Sequence, residues 1–361
     1  MYDVIVIGAR CAGSPTAMLL ARAGYNVLLL DRATFPSDKL STHYIQAMGV
    51  QYLEDWGLLE RVVATGVPAI RTFSVFIGGA PVPTPPLERP AYCPRRYLLD
   101  SILVDAAVEA GAELRSGFRV EEVAMEGERV MGIARRDREG NLTRESARFV
   151  VGADGHHSLV ARAVRAPEYR QREALTGGYY SYFSGIEMEG AEVHISDRGG
   201  VLAFPTNDGR VCIAAGGPRS EFHAYRADIE GRFFSILDAS PLFAARVRAG
   251  KREERWMGTA DVPNFFRKPW GDGWALVGDA GYMKDPVTGF GITDAFRDAS
   301  LLAKALDLAL SGKVPAAEAL RGYQDRRDAA ALPIYEMTLA MASGEMATQG
   351  VPDAGTSAPH R

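Results

Sequence analysis

The sequence predicts an α/β protein of two lobes. One is a Rossmann-like parallel sheet with helices, and the other is an antiparallel sheet. Three observations predict it. Residues 2–31, YDVIVIGARCAGSPTAMLLARAGYNVLLLD, run as apolar strand, glycine turn, small-residue helix and second strand closing on an acid. That is the order of a βαβ unit that binds a dinucleotide. A further strand, glycine turn and long helix come only at residues 274–303. Between them, 72–92 and 178–217 are strand-rich, so the lobes are discontinuous in sequence. The expected division is 1–72 with 93–177 and 258–343 for the dinucleotide lobe. The other lobe takes 73–92 with 178–257, and 344–361 reads as a disordered tail.

Each element has a local reason. Residues 2–7 form a buried parallel strand by composition, and Ser14–Ala23 is a helix whose small residues pack closely on a sheet. Val27–Leu30 is the second strand, closed by Asp31. A polar loop over 34–42 leads to a helix near Ile45–Trp56. The proline-rich 72–92 reads as irregular strands with turns. Leu98–Ala110 has an amphipathic helical period, and Ala112–Arg115 follows as a strand. Residues 118–150 predict an antiparallel meander with turns at Glu126–Arg129 and Arg138–Asn141. YYSYFSGIEM, AEVHIS, GVLAFPT and RVCIAAG are four short strands, and Ala227–Leu237 and Leu242–Arg248 are helical. Trp274–Val277 returns to the first lobe, and a long helix follows Ile292. Ala316–Arg327 and Pro333–Met341 read as two final helices, separated near the proline.

Bulk properties remove several function classes. The 361 residues are 47% hydrophobic and 24% charged, ordinary for a globular protein, with a formal net charge of -4. The basic residues are scattered, so nucleic acid is not an expected partner. The three cysteines, Cys11, Cys93 and Cys212, lie far apart and form no C-x-x-C, against a disulfide framework or dithiol centre. No apolar run reaches the roughly 18 residues of a membrane span, and the first strand begins at residue 2 without a basic leader. A cytoplasmic enzyme is the expectation. Nothing fixes the oligomeric state.

The first glycine turn departs from G-x-G-x-x-G, because Arg10 holds the middle glycine position. Gly8 lets the chain leave the strand sharply, and Gly13 lets the helix approach the sheet. Cys11 and Ala12 complete the turn, whose N–H groups and helix dipole would face a pyrophosphate. Asp31, 23 residues after Gly8, suits a ribose hydroxyl pair, and Arg32 follows it. A negative φ at Arg10 keeps the turn, and its guanidinium could reach the phosphates. The alternative is a structural glycine turn in another α/β protein.

Three further stretches narrow the reading: PRRYLLD at 94–100, VVGADGHHSLVAR at 150–162, and WALVGDAGYMKDPVTGFGITDAFRDASLLA at 274–303. In this order and spacing the chain resembles the group A flavoprotein monooxygenase superfamily over about residues 2–310. That superfamily shares its GR2-type fold with geranylgeranyl reductases and flavin-dependent halogenases. The resemblance implies FAD as resident cofactor and NAD(P)H as transient reductant. It implies that Gly278 and Asp279 meet the ribityl chain, and that Pro286, Gly289, Gly291 and Ile292 line the isoalloxazine. Arg96 would approach the cofactor, with Arg95 as the competing candidate, and Asp154 would organise the pyrophosphate region or serve only the turn. Ser158 is placed to cap the following helix. Gly281–Tyr282 stands where relatives usually carry Ala-His, and Thr293 where many carry Asn.

The implied activity is NAD(P)H-dependent monooxygenation of a small aromatic or polycyclic compound through a flavin C4a-hydroperoxide. An alkene reductase of the geranylgeranyl type is the alternative. A halogenase is disfavoured because Trp270 and Trp274 are four apart rather than two. A non-catalytic scaffold is disfavoured by the intact 278–291 glycine loop. Candidate catalytic groups are His43, Tyr180, Tyr182 and Pro286. Phe204 and Pro205 are read as sharing a face with the tyrosines, lining either a pocket or a plain core. His156, His157 and His194 show no ligand spacing along the chain, so no metal is expected.

Overall fold

The computed structural model describes residues 1–136 and 142–344. The turn expected at Arg138–Asn141 and the tail beyond Gly344 lie outside the described residues. The main sheet runs in the order Trp270–Gly271, Trp274–Leu276, Leu142–Gly152, Tyr2–Ile7, Val27–Leu30, Glu113–Arg115. Its inner pairs are parallel, with Val4 opposite Val27 on one side and Phe149 on the other. Such strands are buried on both faces, which is why VIVI and VLLL carry no polar residue.

The antiparallel meander expected over 118–150 does not extend to the end of its last strand. Glu122–Glu126, Arg129–Arg136 and the start of Leu142–Gly152 pair antiparallel. The end of that last strand, from Ala147 on, instead joins the parallel sheet beside Tyr2–Ile7. One long strand therefore serves two neighbourhoods and delivers Asp154 to the carboxyl edge.

The second sheet runs Lys251–Arg252, Thr176–Ser184, Val211–Pro218, Gly199–Pro205, Ala191–Ser196, Phe73–Ile77, Ala80–Val82. It is antiparallel except where Phe73–Ile77 lies parallel to Ala191–Ser196. One face carries Tyr179, Phe183 and Val211 against the helices Ile229–Leu237 and Pro241–Ala249. A third sheet of Tyr282–Met283, Asn264–Arg267 and Glu168–Arg172 was not apparent in the sequence.

The expected break before Pro333 does not occur. A single helix, Ala316–Ala342, runs through the proline. Contacts on both sides hold it. Tyr323 donates to the Leu276 carbonyl at 2.9 Å, and the fully buried Arg327 donates to the Arg267 carbonyl at 3.1 Å. Beyond the proline, the Tyr335 hydroxyl donates to the Arg170 carbonyl at 2.5 Å. Tertiary anchoring thus outweighs the one backbone bond the ring removes. Among the described residues no helix is long and apolar enough to cross a membrane.

Candidate flavin and substrate site

At the first turn, Gly8 has φ +104, and a Cβ there would lie 2.3 Å from the Ala153 carbonyl oxygen. A Cβ on Gly13 would sit 1.7 Å from the Gly8 carbonyl oxygen and 3.0 Å from Ala153 Cβ. The obstacle at Gly13 is therefore the turn itself more than the sheet. Both positions need glycine. Arg10, by contrast, keeps an ordinary negative φ and is tolerated. Among the described residues the N–H groups from Arg10 to Gly13 find no acceptor, and the buried Ser14 hydroxyl has no partner. Unpaired donors at a helix start are a place for anionic oxygen.

The charges around this turn are organised by a residue the sequence reading passed over. Asp100, fully buried, accepts from Arg10 Nη1 at 2.6 Å and from Arg96 Nε and Nη2 at 3.1 Å each. The Arg96–Asp100 spacing of four places them on one helical face, a signal available in RYLLD. Arg10 also donates to Ser37 Oγ at 2.9 Å. Burial pushes the Cys11 thiol up to about 12, so it is an inert neighbour. Asp31 accepts from Ala9 N and Ala33 N, both at 2.8 Å, bracing the turn while each oxygen keeps a free lone pair. Arg32 points to solvent.

The second glycine segment meets the first. Gly278 has φ +60, and a Cβ on it would come within 2.8 Å of Ala12 Cβ. Asp279 follows at the end of Trp274–Leu276. It is open to solvent and accepts no hydrogen bond from the described residues. Protein nevertheless surrounds it closely, so burial raises its carboxyl pKa, partly offset by His156, Lys284 and Arg96. That describes an unpartnered carboxylate on the floor of a cleft. Next, Gly289 takes φ +65 against Tyr44, and a Cβ on Gly291 would meet nothing within 4 Å. The N–H groups of residues 290–293 are again unpaired among the described residues, at the start of the helix Gly291–Leu310.

Asp285 and Lys284 fix this loop, and neither was singled out from sequence. Asp285 accepts from Thr176 Oγ1 at 2.7 Å and donates its own N–H to Asn264 Oδ1 at 2.8 Å, tying the loop to the second and third sheets. Lys284 pairs with the buried Asp294. Pro286 is exposed at the loop's entrance. Tyr282 stacks on Phe266 at 4.9 Å and accepts from Arg297 at 2.7 Å, a packing role. Thr293 Oγ1 accepts from Gln46 N at 3.1 Å. Asp154 accepts from Leu159 N at 2.7 Å, and Ser158 caps the same helix by accepting from Ala161 N. The other Asp154 oxygen is buried and unpartnered, and burial raises the carboxyl pKa.

His43, Tyr180 and Tyr182 come together where the lobes meet. His43 is fully buried at φ +61, a left-handed conformation that costs a histidine energy and marks sites held by their surroundings. Its Nε2 is bonded to the Tyr182 hydroxyl, while Nδ1 is buried without a partner. Burial, with Arg96 and Arg95 adding to it, holds its pKa well below the usual value. The Arg95 guanidinium stands 3.8 Å from the Tyr182 ring centre and pairs with Asp38 and Glu254, both at 2.7 Å. Cross-strand register places Tyr182, Cys212 and Phe204 in a row on this face. Pro205 does not join them. It follows Phe204 in the strand and so faces the helical side, opposite Val211.

The donor set fits FAD. Two stretches of free N–H groups, an unpartnered carboxylate at the strand edge and glycines that admit close backbone approach converge on one cleft. Residues 1–226 match the family model described as FAD binding domain, and residues 241–346 match one described as squalene epoxidase. Digeranylgeranylglycerophospholipid reductase 2 of Methanopyrus kandleri is 27% identical over 338 residues, covering 90% of this chain and 82% of that protein. Tryptophan 2-halogenase of Chondromyces crocatus is 26% identical, over 89% and 64%. The myxobacterial FAD-dependent halogenase CndH superposes with a TM-score of 0.85 at 25% identity, over 94% and 82%. PqsL of Pseudomonas aeruginosa, a probable FAD-dependent monooxygenase, superposes with a TM-score of 0.81 at 24% identity, over 95% and 96%. The chain belongs to the FAD-binding-domain family of group A flavoproteins and is an FAD-dependent oxidoreductase.

Proposed function

We propose that this flavoprotein is an NAD(P)H-dependent monooxygenase acting on a small aromatic or polycyclic compound. The substrate would lie between the 284–292 loop and the Tyr180/Tyr182 face of the antiparallel sheet. In this reading residues 8–13 and Asp31 hold the adenosine and pyrophosphate end. Asp279 holds the ribityl chain, and residues 289–292 hold the isoalloxazine. Once reduced, FAD supplies the activation of O2.

The observation that carries the reading is the His43–Tyr182 hydrogen bond with its free Nδ1. The Tyr180 ring stands edge-on to Tyr182 with centroids 5.8 Å apart, and its hydroxyl accepts from Ser41 N at 3.3 Å. With the imidazole proton on Nε2 and donated to Tyr182, Nδ1 is left as an acceptor. An aromatic O–H or N–H that reached Nδ1, once the side chains covering the fully buried ring moved aside, would gain electron density on its ring, which favours attack on an electrophilic oxygen. Arg95, braced by two carboxylates, holds the Tyr182 ring in place. The buried aromatic wall keeps water from the reacting centre.

The test is NADPH oxidation by the FAD-loaded protein with a panel of phenols, anilines and polycyclic aromatics. Substrate-stimulated turnover with one oxygen atom incorporated per product supports the proposal, and His43→Gln should lower it. A second reading, alkene reduction, is favoured by the sequence relatives named as digeranylgeranylglycerophospholipid reductases. Product formation with O2 excluded would establish that reading and overturn the first.

A further inference from the structure

The sequence offers no metal spacing around His156 and His157, but the fold brings in a third ligand 104 residues away. Asp261 lies in the connection between Met257–Thr259 of the antiparallel sheet and Asn264–Arg267 of the third sheet. Its Oδ2 stands 3.2 Å from His157 Nε2 and 3.6 Å from His156 Nε2. The three ligand atoms all lie within 4.8 Å of one another. Two ligand atoms each about 2.1 Å from a tetrahedral ion are separated by roughly 3.4 Å, and the two measured distances bracket that value.

A simple histidine–aspartate pair accounts for only part of this arrangement. Both imidazoles direct Nε2 at one carboxylate oxygen, and only His157 is within hydrogen-bonding distance. His156 Nε2 is buried and has no hydrogen-bond partner among the described residues. Its backbone is fixed independently, because Arg267 Nη1 donates to the His156 carbonyl at 3.0 Å. A lone pair is therefore held at a polar cluster that leaves it unsatisfied.

We propose that His156, His157 and Asp261 form a binding site for a divalent transition ion, zinc by its donor set. Two imidazole nitrogens and one carboxylate oxygen suit zinc and its first-row neighbours better than magnesium or calcium, which prefer oxygen. Three protein ligands leave a position for water. The ion would join the turn after Leu142–Gly152 to the strand connection at 260–263. It would also stand close to the flavin cleft, since Arg267 Nη1 donates both to the His156 carbonyl at 3.0 Å and to the carbonyl of Ala280, the neighbour of Asp279, at 3.2 Å.

The experiment is calorimetric titration of the purified FAD-loaded protein with zinc chloride, repeated with magnesium chloride. One zinc per chain and no comparable magnesium binding are expected. His157→Ala and Asp261→Asn should each weaken zinc binding at least about tenfold, the lower limit for loss of even an outer partner. Both residues are exposed, so the variants should keep the wild-type flavin content and melting profile without metal. Absence of stoichiometric zinc binding would overturn the proposal. So would binding that both variants retain in full, which would place the metal at another histidine such as His223.

Discussion

Replacing Asp100 with asparagine keeps the side chain's size and removes its charge. Two guanidiniums share this buried carboxylate, and Arg96 is itself only 8% exposed. Asp100→Asn therefore leaves a buried cation without its counter-charge, and breaking such a pair costs about 3–5 kcal/mol. The retained amide oxygen puts the expected value near the lower end. Arg10 is the more exposed partner, with 21% of its side chain accessible. Arg10→Met leaves Asp100 paired with Arg96 and should cost only about 1 kcal/mol. At roughly 2.1 cal/mol/K per residue, the unfolding entropy of 361 residues is about 0.76 kcal/mol/K. If the lobes melt together, Asp100→Asn lowers Tm by roughly 4–7 °C and Arg10→Met by roughly 1–2 °C. Thermal and urea melts of the flavin-free protein measure both. Repeating them with FAD adds a second reading: phosphates near the stranded guanidiniums should shrink the Asp100→Asn deficit. An Asp100→Asn protein within about 0.5 kcal/mol of wild type, or an Arg10→Met protein equally damaged, would refute the shared-carboxylate argument.

Asp279→Ala should weaken FAD binding by about 1.5–3 kcal/mol, the worth of a charge-assisted hydrogen bond. Flavin-free stability should not fall, because Asp279 accepts no hydrogen bond among the described residues and its burial disfavours the charged form; full flavin retention through desalting would contradict the weakened binding. Gly13→Val should reduce stability and flavin content together, since even its Cβ would lie 1.7 Å from the Gly8 carbonyl oxygen. A variant as stable and as yellow as wild type would show that the turn had been misread. His43 concerns pH. Its folded pKa lies well below the unfolded value of about 6.5, so the unfolded chain binds the proton first. The stability contributed by the neutral ring is present above about pH 6.5 and is lost as pH falls below it. His43→Asn, which accepts the left-handed backbone, should flatten the denaturation profile below that pH. An unchanged slope counts against a buried neutral imidazole.

The βαβ unit, the two glycine segments and the alternation in the antiparallel strands could be read locally. Apolar runs, strict period and φ-demanding glycines act over a few residues. The positions of Asp31 and Asp279 just beyond a strand, and of Ser158 as a helix cap, were legible for the same reason. Other features needed the third dimension. Pro333 breaks helices by local rules, but Tyr323, Arg327 and Tyr335 hold its helix intact from distant strands. The parallel half of Leu142–Gly152 depends on Tyr2–Ile7 lying beside it. Asp285 gains meaning only from Thr176, and Arg95 only from Asp38 and Glu254, 57 and 159 residues away. Asp261 joins His156 and His157 in the same way. Short-range steric and hydrophobic rules thus set the elements, whereas partner choice for buried charge was decided by tertiary contact. An ionised or polar group must be satisfied wherever the chain happens to bring a partner, and no local pattern announces where that will be.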